Sequence, residues 1–248
     1  MMKAFSNIVD LVVGDSRKPE HKSAPPQVPM LAHYLGYRSY DEGKRIFHQV
    51  RSKGFILELA PLVGANDRVN DIISSLFSDI LLPGTKFSVT NYSSPRVAEK
   101  LQDWALPRFK ASGVFQTLAK HRLDKLRNGA WSTLASDGPF FVRNYRVVMS
   151  VGISQGSGLS TDDLVTMRDG IISALESIDV PIRQFEPTDL IRFFDEILAP
   201  STGAGDEVPG YNRFDPINEQ CVRRDLVTHV EKDRLILHAQ SLRPTGTS

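Results

Sequence analysis

Chemistry at a nucleotide phosphate needs a glycine-rich turn whose backbone amides cradle the oxygens, with a lysine and a serine or threonine directly after it. The strand-to-helix glycines of this sequence, Gly152, Gly156 and Gly158, are followed by Asp162 and Asp163, and no Gly-Lys-Ser or Gly-Lys-Thr occurs. Two carboxylates in the first turn of a helix repel phosphate from its amides, so these glycines read as a flexible connection. Phe193-Phe194-Asp195-Glu196 has the apolar-then-acidic order of a magnesium-binding strand end, but Leu190, Phe194 and Ile197 set it on a helix. His21, His33, His48, His121, His229 and His238 include no His-Glu-x-x-His pair and no cysteine at zinc spacing. His229 and His238 could face each other across a terminal hairpin, which still leaves an ordinary zinc site short of ligands. Cys221 has no nearby histidine in sequence and nothing to depress its thiol pKa, so it reads as a core residue. There is no Gly-x-Ser-x-Gly elbow. No catalytic residue, no metal ligand and no cofactor-binding residue is assigned.

Charge supplies a different kind of candidate. The net charge is only +1, yet residues 96–127 carry eight basic and three acidic side chains, whereas residues 155–220 carry four basic and thirteen acidic ones. Opposite patches of this size could meet within a subunit or between subunits; the plainer reading is two solvated helix faces, because exposed charges contribute little to binding. Lys120, Arg122 and Lys125 are the candidate partner-binding residues of the basic stretch. With 41% hydrophobic and 24% charged residues the composition is that of an ordinary globular protein. Its apolar runs, such as residues 55–59 and 80–82, fall far short of the roughly 20 residues of a spanning helix. The single cysteine excludes an internal disulfide framework and fits a cytoplasmic setting.

Periodicity then predicts the elements. Residues 1–13 form a short amphipathic helix whose apolar run is broken by Asp10, with no cleavage site behind it, so it is not a signal peptide. Residues 14–29 are a proline-rich, charged linker. Residues 46–50 and 55–59 read as a hairpin around Arg51-Ser52-Lys53-Gly54. Val69, Ile72, Ile73, Leu76, Phe77, Ile80 and Leu81 recur at helical spacing between an Asn66-Asp67 start and a Pro83-Gly84 stop, giving an apolar face to lay on the sheet. An extended stretch over 86–92 follows, and Ser94-Pro95 caps a basic region of two or three helices interrupted near Pro107 and Gly113. Residues 143–153 are β-like. Ser160 and Asp163 then resemble a capping box, flanked by Leu159 and Leu164, before a helix with the stripe Leu164, Met167, Ile171, Leu175 and Ile178. Residues 180–185 form an edge strand despite Pro181, a short helix spans Leu190 to Leu198, residues 200–209 are a loop, and residues 226–230 and 234–239 make a last hairpin.

Residues 55–92 and 145–185 are thus both strand, helix, strand, joined by the helical stretch. The expected fold is α+β, a ferredoxin-like double βαβ arrangement with inserted helices and a C-terminal β-hairpin. Three segments are expected: the helix and linker over 1–29, one α+β docking domain over 30–241, and a tail over 242–248. Lys53-Gly54-Phe55-Ile56 is similar to an RNA-recognition strand and raises a nucleic-acid-binding ferredoxin-like module as the alternative function. The strand lacks further stacking aromatics, and Ile56, Leu57 and Leu59 favour a buried sheet. A small stand-alone enzyme is a third possibility, without an identifiable catalytic group.

Tyr37-Arg38-Ser39-Tyr40-Asp41, Gly54-Phe55-Ile56-Leu57-Glu58, Pro61-Leu62-Val63-Gly64-Ala65-Asn66 and Leu82-Pro83-Gly84 follow one another in an order and spacing that resemble the N-terminal region of the TraC-type conjugative-transfer ATPases of type IV secretion systems. Asn144-Tyr145-Arg146-Val147, Asn218-Glu219-Gln220-Cys221-Val222 and Asp233-Arg234-Leu235 extend the resemblance over residues 30–239. It implies a non-catalytic docking and assembly domain that contacts inner-membrane secretion components and neighbouring subunits, cytoplasmic and peripheral at the inner membrane, without specific nucleic-acid binding. ATP and magnesium would belong to a C-terminal P-loop motor of the full protein, which serves pilus assembly and DNA transfer. Phe5, Ile8, Val9, Val12 and Val13 would add at most a peripheral membrane or partner contact.

Overall fold

The computed structural model describes residues 30–62, 64, 66–110, 113–135, 138–198, 210–223, 226–230, 232 and 235–239. Its elements run α1 (Leu31–Tyr34), β1 (Tyr37–Asp41), β2 (Ile46–Gln49), β3 (Ser52–Leu59), α2 (Asp67–Ser75), β4 (Thr85–Ser94), α3 (Ala98–Phe109), α4 (Val114–Asn128), β5 (Asn144–Ser154), α5 (Thr161–Glu176), β6 (Ile182–Gln184), α6 (Pro187–Leu198), α7 (Ile217–Gln220), β7 (Leu226–Val230) and β8 (Leu235–Ala239). The chain divides by contact into Met1–Leu31 and Ala32–Ser248, and all of these elements but the first residue of α1 belong to the second unit. The helix, linker, loop and tail expected over 1–29, 200–209 and 242–248 lie outside the described residues.

The class is α+β. A mixed body of helices surrounds an antiparallel sheet in the order β1-β2-β3-β5-β4, with β6 paired to the C-terminal half of β3 through Leu57↔Gln184, Glu58↔Arg183 and Leu59↔Ile182. β7 and β8 form a separate two-stranded sheet. The near-continuous apolar run of β3 is explained by burial on both faces, since a strand covered on one side only would alternate. Phe55, Leu57 and Leu59 enter one core with Leu164, Met167, Ile171 and Leu175 of α5. Ile56 enters the other, with Phe47, Val148, Phe185, Ile191 and Ile217. The Phe55 ring that would have to stack on a nucleobase is therefore interior.

Local signals hold where they were strongest. Asn66 accepts a hydrogen bond from the Val69 amide at 2.9 Å and opens α2. Ser160 and Asp163 form a complete capping box, the Asp163 carboxylate taking the Ser160 amide at 2.7 Å, and of the five predicted stripe residues Leu164, Met167, Ile171 and Leu175 are buried, while Ile178, past the helix end at Glu176, is partly buried against the same core.

Elsewhere the tertiary structure differs from expectation. β1 pairs with β2 as an additional outer strand, and the first hairpin turns at Val50-Arg51 because β3 already begins at Ser52. The helix that starts at Asn66 widens into a π turn over Leu76–Ile80, closed by the Leu81 amide on the Leu76 carbonyl at 2.9 Å. Of its apolar residues only Leu76 is buried, while Ile73 and Phe77 remain exposed. Pro107 does not break α3; the interruption falls before Gly113, whose φ of 73° an L side chain rarely adopts. Ser94 does not cap α3. It ends β4 fully buried, accepts the Arg96 amide at 2.9 Å and donates to Glu196, because the helix begins four residues later. The β7–β8 register sets His229 opposite Ile236 and His238 opposite Val227, so the two histidines are not a cross-strand pair.

One glycine in the sheet is required by close approach. Gly54 stands opposite Gly152, and a Cβ on Gly54 would overlap the Val151 carbonyl oxygen, a backbone atom that cannot swing aside. Gly54→Ala is expected to lose about 1–3 kcal/mol of stability, the range for overpacking. Urea unfolding checks it: an unchanged midpoint would mean that β3 and β5 separate there at no cost.

Candidate docking surface

The basic stretch becomes two antiparallel helices, α3 and α4, inserted between β4 and β5, which pack chiefly on each other. Their shared seam is thin: Ala105 from α3 and Ala119 and Leu123 from α4 are buried. Beside it the larger apolar residues stay in solvent, with Leu118 59% and Phe115 71% exposed. Trp104, Pro107, Phe115 and Leu118 line a groove of about 510 Å³ between the helices.

Arginines rim this groove. Arg108 lies over the Trp104 ring at 4.2 Å and donates through Nη1 to the Trp104 carbonyl at 2.5 Å, one turn back along the helix. Arg122 approaches the same ring from α4 at 5.6 Å. Such contacts hold guanidinium planes over an aromatic face for about 0.5–1 kcal/mol each at exposed sites, and leave their N–H groups directed to solvent or to a partner. None of Arg108, Lys120, Arg122 and Lys125 forms an ion pair among the described residues. An apolar floor inside a cationic rim suits a segment that brings an apolar anchor and acidic flanks.

The three sequence candidates are exposed but do not share one place. Arg122 belongs to the groove lining; Lys120 and Lys125 do not. Lys120 precedes Arg122 by two residues, which is about 200° of helical turn, and so it occupies another side of α4. Trp104, Arg108, Phe115 and Leu118 went unread as site residues. Their signal, apolar residues at helical spacing among lysines and arginines, is the same one a buried amphipathic helix produces.

The acidic stretch has largely found partners within the chain. Glu196, on α6, faces the sheet, where Arg146 of β5 bonds it at 2.6 Å and also bonds Glu58 of β3 at 2.6 Å. Arg183 joins Glu58 at 2.5 Å and also pairs with Asp189. Arg96 holds Asp195 at 3.0 Å, with Arg223 3.9 Å away on its other oxygen. Burial pushes the Glu58 carboxyl up, and the hydrogen bonds and charges of Arg146 and Arg183 outweigh it, so it is held below the ordinary value of 4.5. At the surface Lys44 pairs with Asp162 and Arg45 with Glu186. Asp195 and Glu196 thus clamp a helix to a sheet, and no group of three or more His, Cys, Asp or Glu side chains suited to a metal ion occurs among the described residues.

Cys221 is buried in the second core, which pushes its thiol up to about 12, opposite to what a nucleophile needs. No helix among the described residues is long and apolar enough to cross a membrane.

Comparison with known proteins adds what side-chain geometry does not. The family model described as "TraC protein" matches residues 31–247. Protein TraC of Escherichia coli (strain K12) is 23% identical over 251 residues, an alignment that covers 95% of this chain and 28% of that protein. The chain therefore spans under a third of the relative it matches. With the family model covering nearly its whole length, the chain belongs to the TraC family and is a TraC-type conjugative-transfer protein.

Proposed function

We propose that this chain is the non-catalytic docking and assembly domain of a type IV secretion ATPase, the part that attaches a nucleotide-driven motor to the inner-membrane components used for DNA transfer and pilus assembly. The observation that carries the reading is the α3–α4 hairpin, which offers to solvent instead of to its own core an apolar groove and arginines that form no ion pair among the described residues. A domain that only filled space would bury such residues. ATP and magnesium act in the motor of the longer protein, and this domain works in the cytoplasm at the inner-membrane surface.

Its scaffold we read as ferredoxin-like. The two strand-helix-strand units, β3-α2-β4 and β5-α5-β6, interleave in the order β4-β5-β3-β6 with every neighbour antiparallel, which supports that reading. β1, β2, the α3–α4 hairpin and β7–β8 are additions to it.

The test is co-purification of this chain, beside the longer TraC protein, with detergent-solubilised inner-membrane components of the same secretion system, and an ATPase assay on both. The chain is expected to capture those components without hydrolysing ATP. Reversing the charge of Lys120, Arg122 and Lys125 together should weaken capture about tenfold, or 1.4 kcal/mol. Capture of nothing, together with salt-dependent binding of nucleic acid, would transfer the domain to the alternative class.

A further inference from the structure

We propose that β4 is a dimerisation edge: the β4 strands of two copies of this chain pair antiparallel about a two-fold axis at Ser88, joining their sheets into one. The contact uses none of the residues of the α3–α4 groove and does not rest on what that groove binds.

The ladder shows which backbone groups of β4 are open. The Phe185 amide donates to the Ile56 carbonyl at 2.9 Å, so the even-numbered residues of β3 bond toward β6 and the odd-numbered ones toward β5. Carried across β5, the same alternation turns the even-numbered residues of β4 to β5 and the odd-numbered ones outward. The Thr85 amide agrees, since it bonds the Leu82 carbonyl at 3.1 Å and not β5. Phe87, Val89 and Asn91 therefore aim amide and carbonyl away from the sheet, and these groups form no hydrogen bond among the described residues. A row of donors and acceptors at strand spacing is completed by one kind of partner, another extended strand.

The sheet guards its other margins. β1 is five residues long, has a bulge between Tyr37 and Ser39, and carries Arg38 and Asp41. β6 is three residues long and follows Pro181. Short strands, bulges, charges and proline are the usual devices against edge pairing. β4 has none of them except Lys86: it runs ten residues with an unbroken register to β5, and Ser88, Val89, Thr90 and Asn91 are all exposed.

The side chains favour a second copy over an unrelated strand. With the axis at Ser88, Phe87 of each copy stands opposite Val89 of the other, an aromatic and β-branched pair made twice. Phe77, 54% exposed and set edge-on to Phe87 at 5.1 Å between ring centres, then lies beside the incoming Val89 on the same sheet face. Lys86 meets Thr90, and Thr85 meets Asn91, so no like charges face each other. The pairing forms about six backbone hydrogen bonds, because each outward residue pair exchanges two except where the Thr85 amide is already used.

One patch serves both copies, so the contact is isologous and closes at two chains. A single strand pair with one small apolar cluster buries less than the roughly 1,600 Å² of a standard interface, which sets the association of this chain at roughly tens to hundreds of micromolar.

Sedimentation equilibrium of the 248-residue chain tests the edge, with Val89→Lys as the disabling variant at an exposed position and far-UV circular dichroism to check that it is folded. The wild-type mass should rise with concentration to that of two chains and stop, and Val89→Lys should associate at least about tenfold more weakly. Single cysteines under diamide test the register, since Cys221 is buried. Ser88→Cys should link to itself, as it occupies a closely spaced pair that a disulfide can span. Lys86→Cys and Thr90→Cys each lie about 13 Å from their own copies, too far to link alone, and should link to each other when mixed. A wild-type chain that stays monomeric, a Val89→Lys chain that still dimerises, or self-linking at Lys86 or Thr90 in place of Ser88 would each overturn the proposal. So would a monomer whose Ser88→Cys thiol links to an inner-membrane component instead. A monomer that captures those components defeats this contact alone, whereas a dimer that captures none defeats the docking function alone.

Discussion

Arg146→Ala is expected to destabilise the fold by about 3–5 kcal/mol, the cost of removing one partner from a buried ion cluster. The Arg146 side chain is 12% exposed and bonds both Glu58 and Glu196, so its loss strands two carboxylates between the sheet and α6. Arg183 still reaches Glu58, while Glu196 keeps the hydroxyl of Ser94. Urea unfolding followed by circular dichroism measures the loss, which should shift the midpoint with little change in slope. A shift below about 1 kcal/mol would place the pair in the class of weak surface bridges.

The same cluster has a pH signature. Because the folded-state pKa of Glu58 is depressed, its pairing stabilises the protein above the ordinary value of 4.5 and the contribution is lost as pH falls through the lowered value. Wild-type stability should thus decline on acidification from about that value, and Arg146→Ala, lacking the main cationic partner, should show a flatter acid limb.

Phe185→Ala is expected to have a comparable effect, about 3–5 kcal/mol, as for other buried aromatic residues cut back to alanine. The ring is fully buried, meets Phe193 edge-on at 5.9 Å between centres, and has Arg146 and Arg183 over it at 5.9 and 5.6 Å. Phe185→Leu, which keeps most of the volume, should cost much less. Since Phe185 and Arg146 touch, the double variant should depart from additivity by about 0.5–3 kcal/mol in a mutant cycle. Strict additivity would show that the aromatic core and the ion cluster hold α6 independently.

These two side chains illustrate what could be read in advance. Phe185 lies in a stretch recognised as extended, and Arg146 lies in a β-like run, but nothing local distinguishes Arg146 from Arg143, three residues earlier on the same run. Glu196 was recognised as helical, yet its inward direction depends on an arginine fifty residues away. The groove was half legible. The basic excess over residues 96–127 could be counted from composition, whereas the grouping of Arg108 and Arg122 around Trp104 needed two helices to be folded against each other.

By itself the sequence determined the features whose physics is local. Asn66 and the Ser160/Asp163 pair start helices because a side-chain oxygen close in sequence satisfies an otherwise unpaired amide. The α5 stripe is buried because its period matches a helix lying on a sheet, and the absence of a Gly-Lys-Ser or Gly-Lys-Thr motif needed no coordinates. The tertiary structure decided which amphipathic faces are covered. α5 and α2 carry similar apolar periodicity, but α5 packs against the core of the sheet while the Ile73 and Phe77 side of α2 stays open. Periodicity records that a face is apolar, not what will lie against it; that depends on how much sheet is left once every other element has taken its place.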